Sequence, residues 1–386
     1  MESRSSRLGR ECARMRSAVI ACMVFGLGTL AACTASASVP STAAQPAVSP
    51  ISVSFISAST GWMLAVPPCA AHGCRSLRIR KTTDAGRHWF AVQAPPARAS
   101  SWPSVIFGES PPEGPPGSVN SVIFANTADG WAYGPGLWAT RDGGVRWHRV
   151  QTRGTSVTGM ATGNGRIIAV FARCPAGQPC SSQVYSSPAS SDAWRPVAGT
   201  TGAHASLVIS GQTGYATASQ DGHRPVLLAG PASGTAPWQA RPLPCRQQER
   251  GSGVLPLAAA GRRLALGCGG QPGAGNQIKR LYMSDNGGWT WRRLPGLPFP
   301  GYLGTVSLAP AGTIVASGGR SDVYFSWDGG QTWHTSPSLL RADRGDGLAA
   351  AMVTRNLGFV LQASIYGKQI WLTRDDGHHW TPVTVR

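Results

Sequence analysis

The sequence is poor in acidic residues and almost free of lysine. Aspartate and glutamate together number 17 against 35 lysines and arginines in 386 residues, which gives a formal net charge of +18. The only lysines are Lys81, Lys279 and Lys368. Beyond the first 32 residues the only glutamates are Glu109, Glu113 and Glu249. Glycoside hydrolysis that depends on paired carboxylates therefore has few residues to draw on.

Several motifs of catalysis are also missing. The sequence contains no Gly-rich phosphate loop, no His-Glu-x-x-His zinc motif and no nucleophile elbow. The adjacent His378 and His379 occupy variable positions of a repeat described below, where exposed side chains are more usual than a metal site. We therefore expect neither a cofactor nor a metal.

The N-terminal region has the pattern of an export signal. Five arginines between positions 4 and 16 precede the apolar run Ser17–Ala32, which is too short and wrongly flanked for a stable membrane-spanning helix. The run ends in Leu-Ala-Ala-Cys at Cys33, which resembles the bacterial lipobox and implies a lipid on that cysteine. The alternative is an ordinary signal peptide with an incidental cysteine. We predict a signal peptide at 1–32, a lipid-anchored flexible tether at 33–50 and one folded domain at 51–386.

The folded domain repeats a Ser/Thr-x-Asp-x-Gly-x-x-Trp unit. Good copies run from Thr82 to Trp89, Thr140 to Trp147, Ser326 to Trp333 and Thr373 to Trp380. A fifth, from Ser284 to Trp291, has Asn286 in place of the aspartate. Repetition at this spacing is typical of a repeat architecture.

The spacing suits a tight turn that satisfies its own hydrogen bonds. The aspartate accepts bonds from backbone N–H groups just ahead of it, the hydroxyl braces the carboxylate, and the glycine supplies a positive φ. The tryptophan begins the return strand and covers the hairpin. We interpret these residues as structural rather than as catalytic carboxylates or metal ligands: Asp84, Gly86, Trp89, Asp142, Gly144, Trp147, Asn286, Gly288, Trp291, Asp328, Gly330, Trp333, Asp375, Gly377 and Trp380.

A second repeated signal is an apolar strand, a polar turn, and then glycine followed by an aromatic residue. It occurs as VSFISASTGWML from Val53, VIFANTADGWAY from Val122, SLVISGQTGYAT from Ser206 and AMVTRNLGFVLQ from Ala351. Each copy predicts a β-hairpin. The two signals together divide the domain into seven units: 51–95, 119–152, 155–198, 203–243, 252–295, 303–336 and 347–386.

Seven such units predict an all-β fold, a seven-bladed β-propeller of four-stranded antiparallel blades. The 49 glycines and 30 prolines agree with many short strands and turns. Six blades remain an alternative, because the third and fourth units keep only Trp194 and Trp238 of the first signal. Whether the segment around Ile51 supplies a closing strand is left open.

These motifs carry a resemblance to known families. The first signal resembles the Asp-box, or bacterial neuraminidase repeat, which closes the hairpin between the third and fourth strands of propeller blades. The combination of both signals resembles photosystem II assembly-factor-like propellers and, more loosely, sortilin-type propellers. The resemblance implies a rigid disc whose loop face holds a peptide, a protein or a glycan.

Six cysteines lie beyond Cys33. Their even number suits an oxidising compartment. Close spacing suggests Cys69 with Cys74 and Cys174 with Cys180, and elimination then leaves Cys245 with Cys268. Zinc binding is disfavoured because no pair has the spacing of a zinc ribbon or finger.

Blade geometry predicts which face holds a ligand. The repeated turns lie on one face, whereas the long connections and all six cysteines lie on the other, where binding specificity usually resides. Candidate contact residues on that second face are Trp102, Glu109, His223, Arg246, Glu249, Arg250, Lys279, Arg320, Asp322, Arg344, Tyr366 and Lys368. For each of them, a solvated loop side chain is the competing interpretation.

We expect an exported, lipid-anchored propeller that serves as a non-catalytic binding or assembly module on the outer face of the cell membrane. Its partner would be an envelope protein or glycan, and its basic charge would favour anionic surfaces. Nucleic acid is not expected outside the membrane, and the oligomeric state is not predicted.

The enzymatic alternative is an exported glycoside hydrolase of sialidase type. The sialidase resemblance requires an Arg-Ile-Pro motif, which is absent, and a glutamate beside a tyrosine. We expect no such pair, because all three glutamates lie in predicted loops. For another glycosidase, Glu249 with Asp322 or Asp346 is the least unfavourable carboxylate pair.

Overall fold

The chain folds almost entirely into short antiparallel strands. The computed structural model describes residues 48–67, 76–100, 114–176, 178–220, 224–246, 249, 255–270, 273, 276–297, 301–318, 323–336, 339, 346–364 and 367–383. The predicted signal peptide, the tether up to residue 47, Cys33, Cys69 and Cys74 lie outside these residues. Within the described ranges, no helix is both long enough and apolar enough to cross a membrane.

In the part of the chain that the structure describes, 27 strands form seven blades of four strands each, with one strand shared by two blades. Blades 1 and 2 comprise β1 (Ser49–Phe55), β2 (Gly61–Val66), β3 (Arg78–Thr82), β4 (Phe90–Val92), β5 (Ser121–Phe124), β6 (Gly130–Tyr133), β7 (Leu137–Thr140) and β8 (His148–Arg149). Blades 3 and 4 comprise β9 (Ser156–Gly163), β10 (Arg166–Arg173), β11 (Ser181–Pro188), β12 (Arg195–Ser210), β13 (Thr213–Gln220), β14 (Arg224–Pro231) and β15 (Gln239–Arg241). Blades 5 and 6 comprise β16 (Leu257–Ala260), β17 (Arg263–Gly269), β18 (Lys279–Ser284), β19 (Arg292–Arg293), β20 (Thr305–Leu308), β21 (Ile314–Ser317), β22 (Tyr324–Ser326) and β23 (His334–Thr335). Blade 7 comprises β24 (Asp346–Met352), β25 (Gly358–Ser364), β26 (Gly367–Thr373) and β27 (Thr381–Pro382).

Seven blades are confirmed, and the six-blade alternative is wrong. The strand β12 serves two blades: its first half pairs with β11 and its second half pairs with β13. The register shifts between Thr201 and Ala205, where one blade ends and the next begins. Blades 3 and 4 thus share one seven-stranded sheet, while the other five blades are separate four-stranded sheets.

Among the described strands, none is exchanged between the two ends of the ring. β1 pairs with β2 inside blade 1, and within the described ranges β24 to β27 pair with one another and with no strand of another blade. Blades 1 and 7 instead meet through side chains, with Met63 and Ala65 packed against Leu361, Ile370 and Leu372. Hydrophobic burial at this interface therefore closes the ring.

From blade 1 to blade 7, the first strands of consecutive blades contact one another around the centre of the disc, whereas at the junction of blades 7 and 1 the strand β1 contacts β25 and β26. In the described residues, each fourth strand pairs with the third strand of its own blade and, apart from β12, with no other strand, which places it at the rim. Side-chain packing explains why glycine stands in the second repeated signal. An added Cβ on Gly61 would lie 2.5 Å from the Phe55 ring, and one on Gly130 would lie 2.3 Å from Phe124. Glycine thus lets the aromatic ring of the preceding strand cover the hairpin.

Candidate functional site

The repeated turns share one hydrogen-bond pattern, which we call the carboxylate turn. In the first copy, the Thr82 hydroxyl donates to Asp84 Oδ1 at 2.9 Å and accepts from the Gly86 N–H at 2.9 Å. Asp84 Oδ1 also accepts the His88 N–H at 2.9 Å. The same bonds recur around Asp142, Asp328 and Asp375, and Asn286 provides the acceptor in the fifth copy.

These bonds favour the ionised carboxylates. The backbone hydrogen bond from Arg146, reinforced by the Arg146 and Thr140 side chains, lowers the pKa of Asp142 to about 2. Burial raises the pKa of Asp375, but hydrogen bonds from His379 and Thr373 outweigh burial and lower the pKa to about 2. The pKa values of Asp84 and Asp328 are lowered further by the same kind of bonds. Such carboxylates hold turns together and have no proton to donate at neutral pH.

Most of the predicted contact residues lie outside the described residues. Those outside the described residues are Trp102, Glu109, His223, Arg250, Arg320, Asp322, Arg344 and Tyr366. Lys368 belongs to β26, although only its backbone is described. The side chains of Arg246, Glu249 and Lys279 are described, and the structure gives these three different roles.

Lys279 is buried rather than presented to a ligand. Its Nζ donates to Asn276 Oδ1 at 2.8 Å, to the Gly301 carbonyl at 2.8 Å and to the Gln277 carbonyl at 3.3 Å. An ammonium has three N–H donors, so these bonds use all of them. Burial lowers the pKa of Lys279. The structure therefore places Lys279, a predicted contact residue, in a buried position where its charge holds neighbouring loops together.

Glu249 is also buried, with 2% of its surface exposed. Its Oε2 accepts the Tyr282 hydroxyl at 2.7 Å and the Arg246 backbone N–H at 3.1 Å. The expectation that no glutamate lies beside a tyrosine is thus wrong. Burial, followed by the bond to Glu249, raises the pKa of Tyr282. Of the proposed carboxylate pair, Glu249 is closed to solvent, Asp322 lies outside the described residues, and Asp346 begins β24 with its side chain undescribed.

Arg246 is exposed and lines a groove of about 410 Å³ at the rim of blade 5, which we call the rim groove. The chain leaving blade 4 forms one wall and the outer part of blade 5 forms the other. The lining residues are Pro242, Leu243, Pro244, Arg246, Tyr282, Trp289, Thr290, Trp291 and Arg293. The groove therefore combines apolar rings with cationic groups.

Local chemistry fixes both walls of the rim groove. Proline at 242 and 244 restricts the backbone φ of the segment that leaves β15. The Trp291 indole N–H donates to the Pro242 carbonyl at 3.0 Å, which ties that segment to blade 5. The disulfide between Cys245 and Cys268 anchors the end of the segment to β17.

Neither the arginines that line the rim groove nor Arg241 beside it is neutralised by described carboxylates. Arg241 lies over the Trp289 ring with its guanidinium carbon 3.7 Å from the ring centroid. Within the described part of the chain, no carboxylate lies within ion-pair distance of Arg241, Arg246 or Arg293. Trp289 itself is 56% exposed. Guanidinium groups beside an exposed indole attract a ligand that offers both carboxylates and apolar surface.

Sequence reasoning identified Arg246 but missed Trp289. A usable signal exists, since Trp289 stands immediately after the turn glycine, where the other copies have Arg87, Val145, Gln331 and His378. A tryptophan at this exposed position is not needed for the turn and therefore points to a surface role.

A second groove of about 280 Å³ lies beside blade 2. It is formed by backbone near Gly136 and by the chain that follows β8, including Arg149 and Arg153. The predicted disulfide Cys174–Cys180 links β10 to β11 in the next blade. None of the described residues that line this groove is aromatic, so they offer less to an apolar ligand than those of the rim groove.

Comparisons with known proteins agree with the fold. Neither a protein-family model nor a curated protein matches the sequence. The solved structure of YCF48 bound to D1 peptide is 18% identical with a TM-score of 0.55, over 86% of this chain and 94% of that one. YCF48 from Cyanidioschyzon merolae is 15% identical with a TM-score of 0.55, over 86% and 96%. An ancestral GH74 enzyme is 14% identical with a TM-score of 0.52, over 87% of this chain and 45% of that one. At these identities the likeness shows a shared propeller fold.

Proposed function

We propose that this propeller is a non-catalytic binding module whose rim groove holds an acidic polypeptide segment of a partner protein. The observation that carries the proposal is the set of guanidinium groups around Trp289 that lack a described carboxylate partner. Carboxylates of the partner would pair with Arg246 and Arg293, and its apolar side chains would pack on Trp289 and Trp291.

The geometry reduces the entropy cost of such binding. Arg241 is already stacked on Trp289, and the opposite wall is held by two prolines, a disulfide and the Trp291 bond. Groups held in place before binding lose less conformational freedom when a ligand arrives. A solved propeller of the same fold is named as bound to a peptide, which is compatible with this use of the fold.

Export and lipid anchoring at Cys33 are part of the proposal. They rest on the arginine-rich start, the apolar run and the Leu-Ala-Ala-Cys sequence. The repeated turns, in turn, are proposed to be Asp-boxes. Replacement Cys33→Ser should release the protein from the membrane fraction, whereas Cys22→Ser within the same leader should leave it attached. Membrane association of the Cys33→Ser protein would contradict lipid anchoring at this residue.

The binding proposal is tested with a fluorescein-labelled twelve-residue peptide that alternates leucine with glutamate. Anisotropy should show saturable binding that weakens as salt screens the charges. Arg246→Glu should weaken binding by about tenfold or more. Arg355→Glu makes the same charge change on an exposed turn of blade 7 and should leave binding unchanged.

A matched peptide with glutamine in place of glutamate should bind at least about tenfold more weakly. Equal binding of the two peptides, or equal effects of Arg246→Glu and Arg355→Glu, would overturn the proposal. Binding of an acidic polysaccharide in preference to the peptide would also contradict it, and turnover of that polymer would favour the glycoside hydrolase alternative.

A further inference from the structure

We infer that Glu249 and Tyr282 are positioning residues that hold the backbone of Arg246 in its place in the rim groove. The inference rests on the proposed function and explains why a carboxylate is buried beside a cationic groove. Neither residue needs to contact the ligand through its polar group, because the polar atoms of both face each other.

Three hydrogen bonds join Arg246, Glu249 and Tyr282. Arg246 and Glu249 exchange two bonds, since the Arg246 N–H donates to Glu249 Oε2 at 3.1 Å and the Glu249 N–H donates to the Arg246 carbonyl at 2.9 Å. The Tyr282 hydroxyl donates to the same Oε2 at 2.7 Å. The backbone of Arg246 is thereby tied, through Glu249, to the third strand of blade 5.

The burial of Glu249 makes this arrangement informative. A carboxylate that is 2% exposed loses its hydration, and this loss must be offset by its partners. Among the described cations, only Arg280 lies within ion-pair distance, with its Nε 4.0 Å from Oε1, so hydrogen bonds from Tyr282 and Arg246 provide the close contacts. An apolar residue could fill the space without that cost, but it could not bind the Arg246 N–H.

We call the hydrogen bonds among Arg246, Glu249 and Tyr282 the lock. The lock affects ligand binding because Arg246 directly follows the segment that the disulfide holds in place. Cys245 is anchored by its disulfide, whereas Arg246 is the next residue and has an exposed side chain. Without the bonds to Glu249, the backbone of Arg246 would have to be fixed when the ligand binds. A positioning shell of this kind is what preorganised binding sites require.

The role of Tyr282 in the lock can be tested against a matched control, because Tyr215 lies in the same apolar cluster. Tyr282→Phe removes the hydroxyl that donates to Glu249, whereas Tyr215→Phe removes one that lies beside Gly287. Hydrogen exchange of the Arg246 amide should accelerate about tenfold in Tyr282→Phe and stay unchanged in Tyr215→Phe. The peptide Kd should rise about three- to tenfold in Tyr282→Phe only.

Replacements of Glu249 distinguish a role of its hydrogen-bond geometry from a role of its charge. Glu249→Gln keeps a carbonyl acceptor at the end of the same side chain and should bind the peptide within about threefold of the wild type, whereas Glu249→Ala should bind about tenfold more weakly. If Glu249 acted through its charge, it would repel the acidic ligand, and both replacements would tighten binding. Tighter binding by Glu249→Gln and Glu249→Ala therefore overturns the inference.

Failure of the lock and failure of the proposed function give different results. If the wild type binds no peptide, the proposed function fails, and the exchange measurement alone decides the lock. Unchanged exchange of the Arg246 amide in Tyr282→Phe and Glu249→Ala overturns it. If the wild type binds and exchange accelerates without any change of Kd, the lock is structural only and the positioning role is rejected.

Discussion

Trp62 of blade 1 donates its indole N–H to the carbonyl oxygen of Gly143 in blade 2, at 3.1 Å in a buried position. The two residues belong to different repeated signals, since Trp62 follows the hairpin glycine and Gly143 lies in a carboxylate turn. Trp131 makes the corresponding contact one interface later, donating to Asp192 Oδ1 of blade 3 at 3.5 Å. The two repeats thus meet directly between blades 1 and 2, and the tryptophan of the second signal links blades at both interfaces.

Trp62→Phe should destabilise the protein by about 1 to 2 kcal/mol, because the buried Gly143 carbonyl loses its donor. Phenylalanine can retain the stack on Phe124, whose ring centroid lies 3.8 Å from that of Trp62. Trp62→Ala should cost more, about 3 to 5 kcal/mol, because it also leaves a cavity. Urea unfolding followed by circular dichroism measures both. Equal losses for the two variants would contradict a separate contribution from the hydrogen bond.

Between blades 2 and 3, Asp192 makes the contact that a carboxylate turn makes between blades 1 and 2. It accepts Arg141 Nη2 at 2.7 Å and approaches His148 Nε2 at 2.8 Å. Asp192→Asn should lower the free energy of unfolding by about 1 to 3 kcal/mol, because partly buried partners lose a charge-assisted bond. Asp285→Asn, an exposed change in blade 5, should fall within about 0.5 kcal/mol of the wild type. A neutral effect of Asp192→Asn in thermal and urea unfolding would refute this link.

Acid should unfold the protein through its carboxylate turns. Asp142 and Asp375 have native pKa values of about 2, below the value of about 3.9 for an unfolded aspartate. Because the unfolded chain binds more protons between about pH 4 and pH 2, the free energy of unfolding falls as the pH falls through this window. Above about pH 5 these two groups add no pH dependence.

Urea unfolding at pH 5, 4, 3 and 2.5 measures this slope. Asp142→Asn removes one titrating group and should flatten the slope while lowering stability at pH 5. An identical slope in the wild type and Asp142→Asn would show that the turn carboxylate is not the acid-sensitive group.

Ring closure depends on the packing of blade 7 against blade 1. Leu372 is fully buried there, and an added Cβ on Gly86 would lie 2.3 Å from the Leu372 side chain. Leu372→Ala should cost about 2 to 4 kcal/mol and should increase hydrogen exchange in both β2 and β26. Val145→Ala, at a position 59% exposed, is the control and should have little effect on stability or exchange. Faster exchange in β26 alone would argue against coupled closure.

The repeats make the fold predictable because each blade carries its own local signals. The turn Thr82–Trp89 depends on hydrogen bonds within eight residues, so its spacing in the sequence contains the needed information. The shared strand β12 is different. Gly199 and Gly202 mark a boundary there, and Gly202 has a φ of 83°, so the units could be divided at 198 and 203. That one strand runs through this boundary depends on its pairing with two hairpins, β10–β11 and β13–β14.

The site was less predictable because burial depends on distant partners. Lys279 and Glu249 look like solvated loop residues in the sequence, but Gly301 and Tyr282 bury their charges. Those contacts join segments 22 and 33 residues apart. Arg246 could be proposed as a contact residue from the sequence, because an arginine beside a cysteine-anchored loop has few buried roles. The position of Arg241 beside the groove could not, because it depends on stacking with Trp289.

The most direct test of the account is to map where a bound ligand lies. The acidic peptide, carrying a benzophenone photocrosslinker at one leucine, is irradiated with the wild-type protein, and crosslinked fragments are identified by mass spectrometry. The account predicts crosslinks within 242–246 and 289–293 that disappear in Arg246→Glu and persist in Arg355→Glu. Crosslinks concentrated elsewhere, such as the second groove beside Arg149, would contradict the assignment of the rim groove as the binding site.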